Sequence, residues 1–296
     1  TGAITITGSG EYVGGVVGYS RGNTINCSSA VNVTATSSSN VGGVVGAMET
    51  SGSVSQIFTY RCAATGTISA FKRFGGVVGG MYNTANGGTV VDECWFTGTI
   101  QSNSNAYNCY IGGLVGYCRG YIANSYVYGA TINGASSGSN GNTIGGLVGL
   151  VQGSSPTGGI YNSYAYVTTW SGCGNTRDNA FVGSMDNSPN PALYHCHWVN
   201  GTITQNTSGN WGTNIGSSAV TAINTSAVVD SLNTVSYGTT TNSGTWALND
   251  AQNPTHPVLT GNGTGFGTTA LSSVSEVYGC GGPASRQHGP APRRCG

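Results

Sequence analysis

The chain has 296 residues, of which 51 are glycine and only 18 are charged, and its formal net charge is zero. This balance gives no general attraction to nucleic acid or to an anionic membrane, and no apolar run reaches the roughly 20 residues of a membrane span. Sixteen tyrosines, five tryptophans and many valines are atypical of a disordered chain. We therefore expect an ordered all-β protein that needs no cofactor.

A short glycine-rich phrase recurs six times along the chain. Successive copies begin 28, 33, 37, 33 and 34 residues apart. Units of this length cannot bury an apolar face alone and must stack on their neighbours. The spacing predicts a parallel β-solenoid of about six coils over residues 1–203. The copies are GGVVG at 14–18, 42–46 and 75–79, GGLVG at 112–116 and 145–149, and NAFVG at 179–183.

The paired glycines predict a wall of the solenoid with no bulky side chain. Such a wall allows another layer to approach closely, either a loop of the same chain or a neighbouring molecule. The sixth copy has lost both glycines, which is typical of a terminal coil adapting to a cap. The wall residues are Gly14, Gly15, Gly42, Gly43, Gly75, Gly76, Gly112, Gly113, Gly145 and Gly146.

A second phrase follows each glycine cluster and aligns one residue per repeat. Adjacent strands lie about 4.8 Å apart, within the Cα separation of about 4.4–6.8 Å that disulfides use. A bridge between neighbouring cysteines and a ladder of buried thiols therefore both stay open. Cys280 and Cys295 bracket the C-terminal tail and form a separate candidate disulfide. The aligned column is Cys27, Cys62, Cys94, Ser125, Ser163 and Cys196, so the bridge would join Cys27 or Cys94 to Cys62.

Residues 204–279 have a different pattern, which predicts a small C-terminal cap. Val228, Val229, Leu232 and Val235 fall at helical spacing and predict one short amphipathic helix. The stretches GTWALND and HPVLTG then predict brief strands. Residues 280–296 form a Pro- and Arg-containing tail.

The first ten residues, TGAITITGSG, have the pattern of a strand rather than of a signal peptide, so we expect a mature or trimmed product. No cap comparable to 204–279 precedes the first coil. We expect either a head-to-tail contact with a second copy or an upstream segment that covers this coil. Nine cysteines without CxxC spacing favour an oxidising compartment, and hence an extracellular or cell-surface location.

The residues that carry catalysis are scattered in this sequence. No histidine begins an HExxH motif, and Asp92 and Glu93 are the only adjacent acids. His195 and His197 flank Cys196 on a predicted strand, with no third metal ligand nearby. We therefore predict no enzyme activity, no catalytic residues and no metal site. A carboxylate dyad assembled from distant coils, as in a polysaccharide-active β-helix enzyme, remains an alternative.

Tyrosines recur at corresponding places of the fourth and fifth repeats, in Tyr126, Tyr128, Tyr164 and Tyr166. They predict a stripe on which sugar rings stack, or else a cross-strand ladder that packs the coil. Six Asn-x-Ser/Thr sequons predict a glycoprotein if the source organism glycosylates. They begin at Asn26, Asn32, Asn200, Asn206, Asn224 and Asn262.

The phrases GGLVGYCRGYIANSYVYGATI at 112–132 and GGLVGLVQG with IYNSYAYV at 145–167 resemble the GLUG repeat. The resemblance covers roughly residues 10–203, and 228–259 is similar to a segment that often closes such arrays. GLUG repeats occur in secreted and surface proteins of bacteria, often Bacteroidetes, commonly in adhesin-like chains. The tail at 279–296 departs from that pattern.

Together these features predict a non-catalytic extracellular protein with a structural or adhesive role. The structural version is a self-associating subunit of a filament or surface layer. The alternative is a monomeric adhesin module that binds glycans or host proteins.

Overall fold

The computed structural model confirms the predicted parallel β-solenoid. Three of its sheets hold six strands each, so about five full turns separate the first strand of a sheet from the last. No helix in the described part of the chain is long and apolar enough to cross a membrane. The described residues are 2–50, 56–83, 88–102, 109–134, 142–152, 158–173, 178–186 and 192–199, with short pieces at 203, 230, 232, 236–237, 240–241, 246–248 and 257–259.

Each turn repeats the same succession of short strands. The first turn contains β1 (Ala3–Thr5), β2 (Tyr12–Gly14), β3 (Val17–Ser20), β4 (Thr24–Ile25) and β5 (Ser28–Ser29). The second contains β6 (Asn32–Ala35), β7 (Asn40–Gly42), β8 (Val45–Thr50), β9 (Gln56–Tyr60) and β10 (Ala63–Ala64). The third contains β11 (Thr67–Ala70), β12 (Arg73–Gly75), β13 (Val78–Asn83), β14 (Gly88–Asp92) and β15 (Trp95–Phe96).

Later turns merge two of these strands into one. The fourth turn contains β16 (Thr99–Ser102), β17 (Tyr110–Gly112), β18 (Val115–Cys118), β19 (Gly120–Ala123) and β20 (Tyr126–Asn133). The fifth contains β21 (Thr143–Gly145), β22 (Val148–Gln152), β23 (Gly159–Tyr161) and β24 (Tyr164–Ser171). The sixth contains β25 (Asp178–Asn179), β26 (Val182–Asp186), β27 (Ala192–Tyr194) and β28 (His197–Trp198).

Equivalent strands of successive turns pair in parallel and form four walls. Sheet B consists of β2, β7, β12, β17, β21 and β25. Sheet C consists of β3, β8, β13, β18, β22 and β26. Sheet D consists of β4, β9, β14, β19, β23 and β27. Sheet A takes the other ten strands of the solenoid, β1, β5, β6, β10, β11, β15, β16, β20, β24 and β28.

The register of sheet B follows the period of the sequence repeat. The first glycine of each phrase pairs with the first glycine of the next turn, and the last of them pairs with Asn179. Inside the solenoid, like side chains stack on like. Val33, Ile68, Ile100 and Ile132 form one such ladder and are fully buried. The unequal spacings therefore reflect insertions in the connections, while the register of the strands is conserved.

The corner between sheets D and A has the same backbone conformation in every turn. One non-glycine residue per turn has a φ of 45° to 54°, in the left-handed region that L residues seldom adopt. Asparagine tolerates this region best among non-glycine residues, and it occupies three of the six corners. The corner residues are Asn26, Arg61, Glu93, Asn124, Asn162 and His195.

The C-terminal region contributes two short antiparallel hairpins to the described structure. They pair β29 (Ser236–Tyr237) with β30 (Thr240–Thr241), and β31 (Trp246–Leu248) with β32 (Pro257–Leu259). Of the predicted helix, Asp230 and Leu232 are helical. The rest of the helix and the whole tail 280–296, including Cys280 and Cys295, lie outside the described residues.

Candidate functional site

The glycine wall is covered by the chain itself. A Cβ on Gly113 would overlap the carbonyl oxygen of Gly146 one turn further on, and a Cβ on Gly112 would overlap the carbonyl of Val115 in its own turn. The same two overlaps occur at the paired glycines of the other complete phrases. The first glycine of each pair ends a strand of sheet B and the second lies in the bend before sheet C. The backbone of the same turn and of the next turn therefore leaves no room for a side chain at this bend.

The position of Ala180 in the last turn explains why the second glycine of the pair is not required in the sixth phrase. At Gly146 the obstructing atom is the carbonyl oxygen of Ala180, which belongs to the following turn. Within the described stack no later turn lies beyond Ala180, so a methyl group fits there. The Asn179 side chain donates a hydrogen bond to the carbonyl of Gly183 at 2.7 Å.

The cysteine column lies inside the solenoid, one residue after each left-handed corner. Cys62, Cys94 and Cys196 are fully buried, and Cys27 is partly exposed. The Cys62 amide donates to Cys94 Sγ at 3.3 Å, and the Cys94 amide donates to Ser125 Oγ at 3.1 Å. All seven described cysteines are free thiols, so neither candidate bridge to Cys62 is formed. Burial raises the pKa of the Cys196 thiol to about 12, so this thiol stays protonated.

The tyrosine stripe predicted for sugar stacking is mostly covered. Tyr126 and Tyr164 stack at 5.0 Å between ring centroids, and Trp246 packs against both at 5.8 and 5.5 Å. Leu232 joins the same buried cluster. Tyr126 and Tyr164 are therefore not available to a ligand in this structure, which corrects that expectation. Tyr128 and Tyr166 lie beside this cluster and are half-buried.

The two adjacent acids lie in different environments, and so do the two histidines. Asp92 is buried, which raises its pKa well above the usual range, and it accepts a hydrogen bond from Asn124 Nδ2 at 2.9 Å. Glu93 instead pairs with Arg61 Nε at 2.5 Å across adjacent turns. His195 lies at a left-handed corner, while His197 is buried. Among the described residues, no cluster of three or more His, Cys, Asp or Glu side chains is suited to a metal.

Sequence reasoning missed an aromatic surface where sheets B and C approach each other. We call it the arginine–tyrosine face. Its tyrosine rings come close across the two sheets and along the stack, at 4.7 Å for Tyr12 and Tyr19, 5.8 Å for Tyr110 and Tyr117, and 5.3 Å for Tyr82 and Tyr117. The face consists of Tyr12, Tyr19, Arg73, Tyr82, Tyr110 and Tyr117.

Arg73 lies at the centre of this face. Its guanidinium carbon lies 5.1 to 5.9 Å from the centroids of Tyr82, Tyr110 and Tyr117. Arg73 Nη1 donates a hydrogen bond to the Tyr82 hydroxyl at 3.1 Å. Burial raises the pKa of Tyr117, and the nearby charges of Arg119 and Arg73 act in the opposite direction. Tyr117 is buried and the other residues of the face are half-buried, so the face is an aromatic surface with a positive charge at its centre.

The sequence signal for this face is weak, since its residues differ from turn to turn. In sheet B, one register position holds Tyr12, Asn40, Arg73, Tyr110 and Thr143. Only the paired register of the two sheets brings these residues together.

Comparisons with protein-family models, with curated proteins and with solved structures find no match to this chain.

Proposed function

We propose that the chain is a non-catalytic extracellular β-solenoid that acts as a self-associating subunit of a filament or surface layer. The observation that carries this proposal is the one-sided strand pairing of the first described turn. Within the described stack, each strand from β1 to β5 is hydrogen-bonded to a neighbour on one side only. Unpaired edges of this kind are templates for pairing with another chain.

Apolar side chains add to this edge. Val16 is 46% exposed, whereas the equivalent Val44, Val77, Leu114 and Leu147 are fully buried. A second copy stacked on the first turn would cover Val16 in the same way that the second turn covers Val44. The extracellular location and the resemblance to GLUG repeats belong to this proposal.

Light scattering of the purified chain over a range of concentrations tests self-association. We expect large assemblies, and we expect Val16→Lys to dissolve them because a lysine at an open edge opposes pairing. Thr97→Lys is the matched control, since Thr97 is exposed in the third turn, away from that edge. A mass that stays that of one chain at every concentration would refute the proposal.

A second candidate function is a monomeric adhesin module. The arginine–tyrosine face favours it, because tyrosine and arginine are the residue types that dominate recognition surfaces. A defined ligand retained by a chain that scatters as a monomer would support this function over the first.

A further inference from the structure

We infer that the arginine–tyrosine face binds an acidic sugar, namely a hexuronate unit of a polysaccharide. This inference rests on the adhesive form of the proposed function and names its ligand class. It starts from the charge of Arg73. In the described part of the chain, the ion pairs are Arg21 with Glu49 and Arg61 with Glu93, so Arg73 has no carboxylate partner.

Two acids lie beside the first-turn tyrosines of this face, and neither forms an ion pair with Arg73. Glu49 accepts a hydrogen bond from the Tyr19 hydroxyl and pairs with Arg21 at 3.7 Å. Glu11 accepts a hydrogen bond from the Tyr12 hydroxyl at 3.0 Å. Arg119, which is exposed, adds a second positive charge near Tyr117. The third and fourth turns therefore present positive charge with no acid to neutralise Arg73.

A chain of hydrogen bonds fixes Arg73 before any ligand arrives. Arg73 donates to the Tyr82 hydroxyl, which in turn donates to Asn40 Oδ1 at 2.5 Å. Asn40 is buried, and its Nδ2 donates to the carbonyl of Glu11 at 3.3 Å. Gly80 leaves room for this arrangement, since a Cβ there would lie 2.6 Å from Asn40 Oδ1 and 2.8 Å from Tyr82 Cε2. A site held in this way loses little conformational entropy on binding.

The arginine and tyrosine side chains of this face indicate the class of ligand. A planar guanidinium binds a carboxylate through two parallel hydrogen bonds. Arg73 Nη1 donates to the Tyr82 hydroxyl and Arg73 Nε is buried, so a ligand carboxylate reaches this guanidinium through its Nη1–Nη2 end. Tyr117 is buried, but the half-buried ring of Tyr110 offers an apolar face on which the C–H face of a sugar ring can stack. A hexuronate carries both groups within one ring. A nucleic acid is disfavoured, because the whole chain has no net positive charge.

Titration calorimetry with a galacturonate hexasaccharide tests this inference. The control ligand is the same hexasaccharide with its carboxyls reduced to alcohols. We expect the acidic form to bind at least about tenfold more tightly than the reduced form, a factor that corresponds to the loss of one charged hydrogen-bonded pair.

Variants of the chain locate the site. Arg73→Gln and Tyr110→Ala should each weaken binding about tenfold or more, and Arg73→Lys should weaken it because the planar fork is lost. Arg61→Gln is the matched control, since Arg61 also lies over a tyrosine, Tyr60, but is paired with Glu93 at the corner between sheets D and A. It should leave the affinity unchanged within about twofold. Circular dichroism of each variant verifies folding. If Arg73→Gln does not fold, Tyr110→Ala tests the site on its own.

Three results would overturn the inference: no binding of the hexasaccharide, equal binding of its reduced form, or unchanged affinity in both Arg73→Gln and Tyr110→Ala. If a neutral hexasaccharide bound and its affinity did not depend on Arg73, the acidic ligand would be refuted. The adhesive function would still be supported. If the chain bound no glycan but still formed large assemblies, the adhesive function would be refuted and the filament proposal would stand.

Discussion

At the scale of single residues, the paired glycines are required by close approach between turns. Each second glycine faces a carbonyl oxygen of the following turn, as Gly113 faces Gly146. The reason is lack of space rather than backbone conformation, because the described glycines with positive φ are Gly129 and Gly172, outside these phrases. The wall should therefore reject even the smallest side chain.

We predict that Gly113→Ala lowers the free energy of unfolding by about 2 kcal/mol or more, because the new methyl group must displace the Gly146 carbonyl. Ala180→Gly is the matched control at the equivalent position of the last turn, and it should cost only about 0.5–1 kcal/mol. Guanidinium denaturation measures both. If both variants lost the same small amount of unfolding free energy, backbone contact would not be what excludes a side chain at Gly113.

Another prediction at this scale concerns the dependence of stability on pH. Burial, with a smaller contribution from the charge of His195, lowers the pKa of His197 from 6.5 to about 4. The unfolded state therefore takes up a proton at a pH where the folded state does not, so the contribution of His197 to stability should be constant above about pH 6.5 and should fall as the pH drops toward 4. The loss is about 1–3 kcal/mol.

Denaturation curves at pH 7.5 and pH 4.5 measure this loss for the unmodified chain and for His197→Gln. The variant should lose less stability between the two pH values, because glutamine does not titrate. Identical losses in the two proteins would contradict the assignment of a neutral buried imidazole.

At the scale of elements, the C-terminal hairpin of β31 and β32 covers the aromatic ladder of sheet A. Trp246 contacts Tyr126 and Tyr164, and the ladder extends to Trp95, which stacks on Tyr126 at 6.1 Å. A two-stranded hairpin has little stability of its own, so its position depends on this contact.

We predict that Trp246→Ala releases the hairpin, since removing a buried tryptophan costs about 3–5 kcal/mol at its site. Amide hydrogen exchange should accelerate at 246–248 and 258–259, while exchange in sheets B and C stays unchanged. Trp246→Phe is the control and should retain most of the protection. Unchanged exchange in Trp246→Ala would mean that the aromatic contact does not hold the hairpin.

Much of the element structure could be predicted from the repeat, because a stacked register requires equivalent residues at a fixed place in every turn. The parallel solenoid and the inward place of Cys62 and Cys94 follow from this rule. The arginine–tyrosine face could not be predicted, because Arg73 and Tyr117 belong to sheets whose mutual approach depends on backbone packing at the glycines. The cover on Tyr126 could not be predicted either, since Trp246 lies 120 residues further along the chain.

At the scale of the whole molecule, the two ends of the described stack differ. The first turn exposes Val16, whereas Phe181 and Trp198 of the last turn are buried and stack at 5.6 Å between ring centroids. Strands β25 to β28 nevertheless bond to a neighbour on one side only within the described residues. In the proposed head-to-tail contact, Val16 of one copy would therefore lie against an end whose Phe181 and Trp198 side chains are already buried. If two copies associated through their first turns only, the contact would be closed and the assembly would stop at a dimer.

Electron microscopy of the purified chain, with diffraction from aligned material, tests the central claim of self-association most directly. The filament proposal predicts long unbranched fibres and a reflection near 4.8 Å along the fibre axis, because the strands of successive subunits continue one stack. Discrete particles of one or two chains at every concentration, with no fibres, would contradict it.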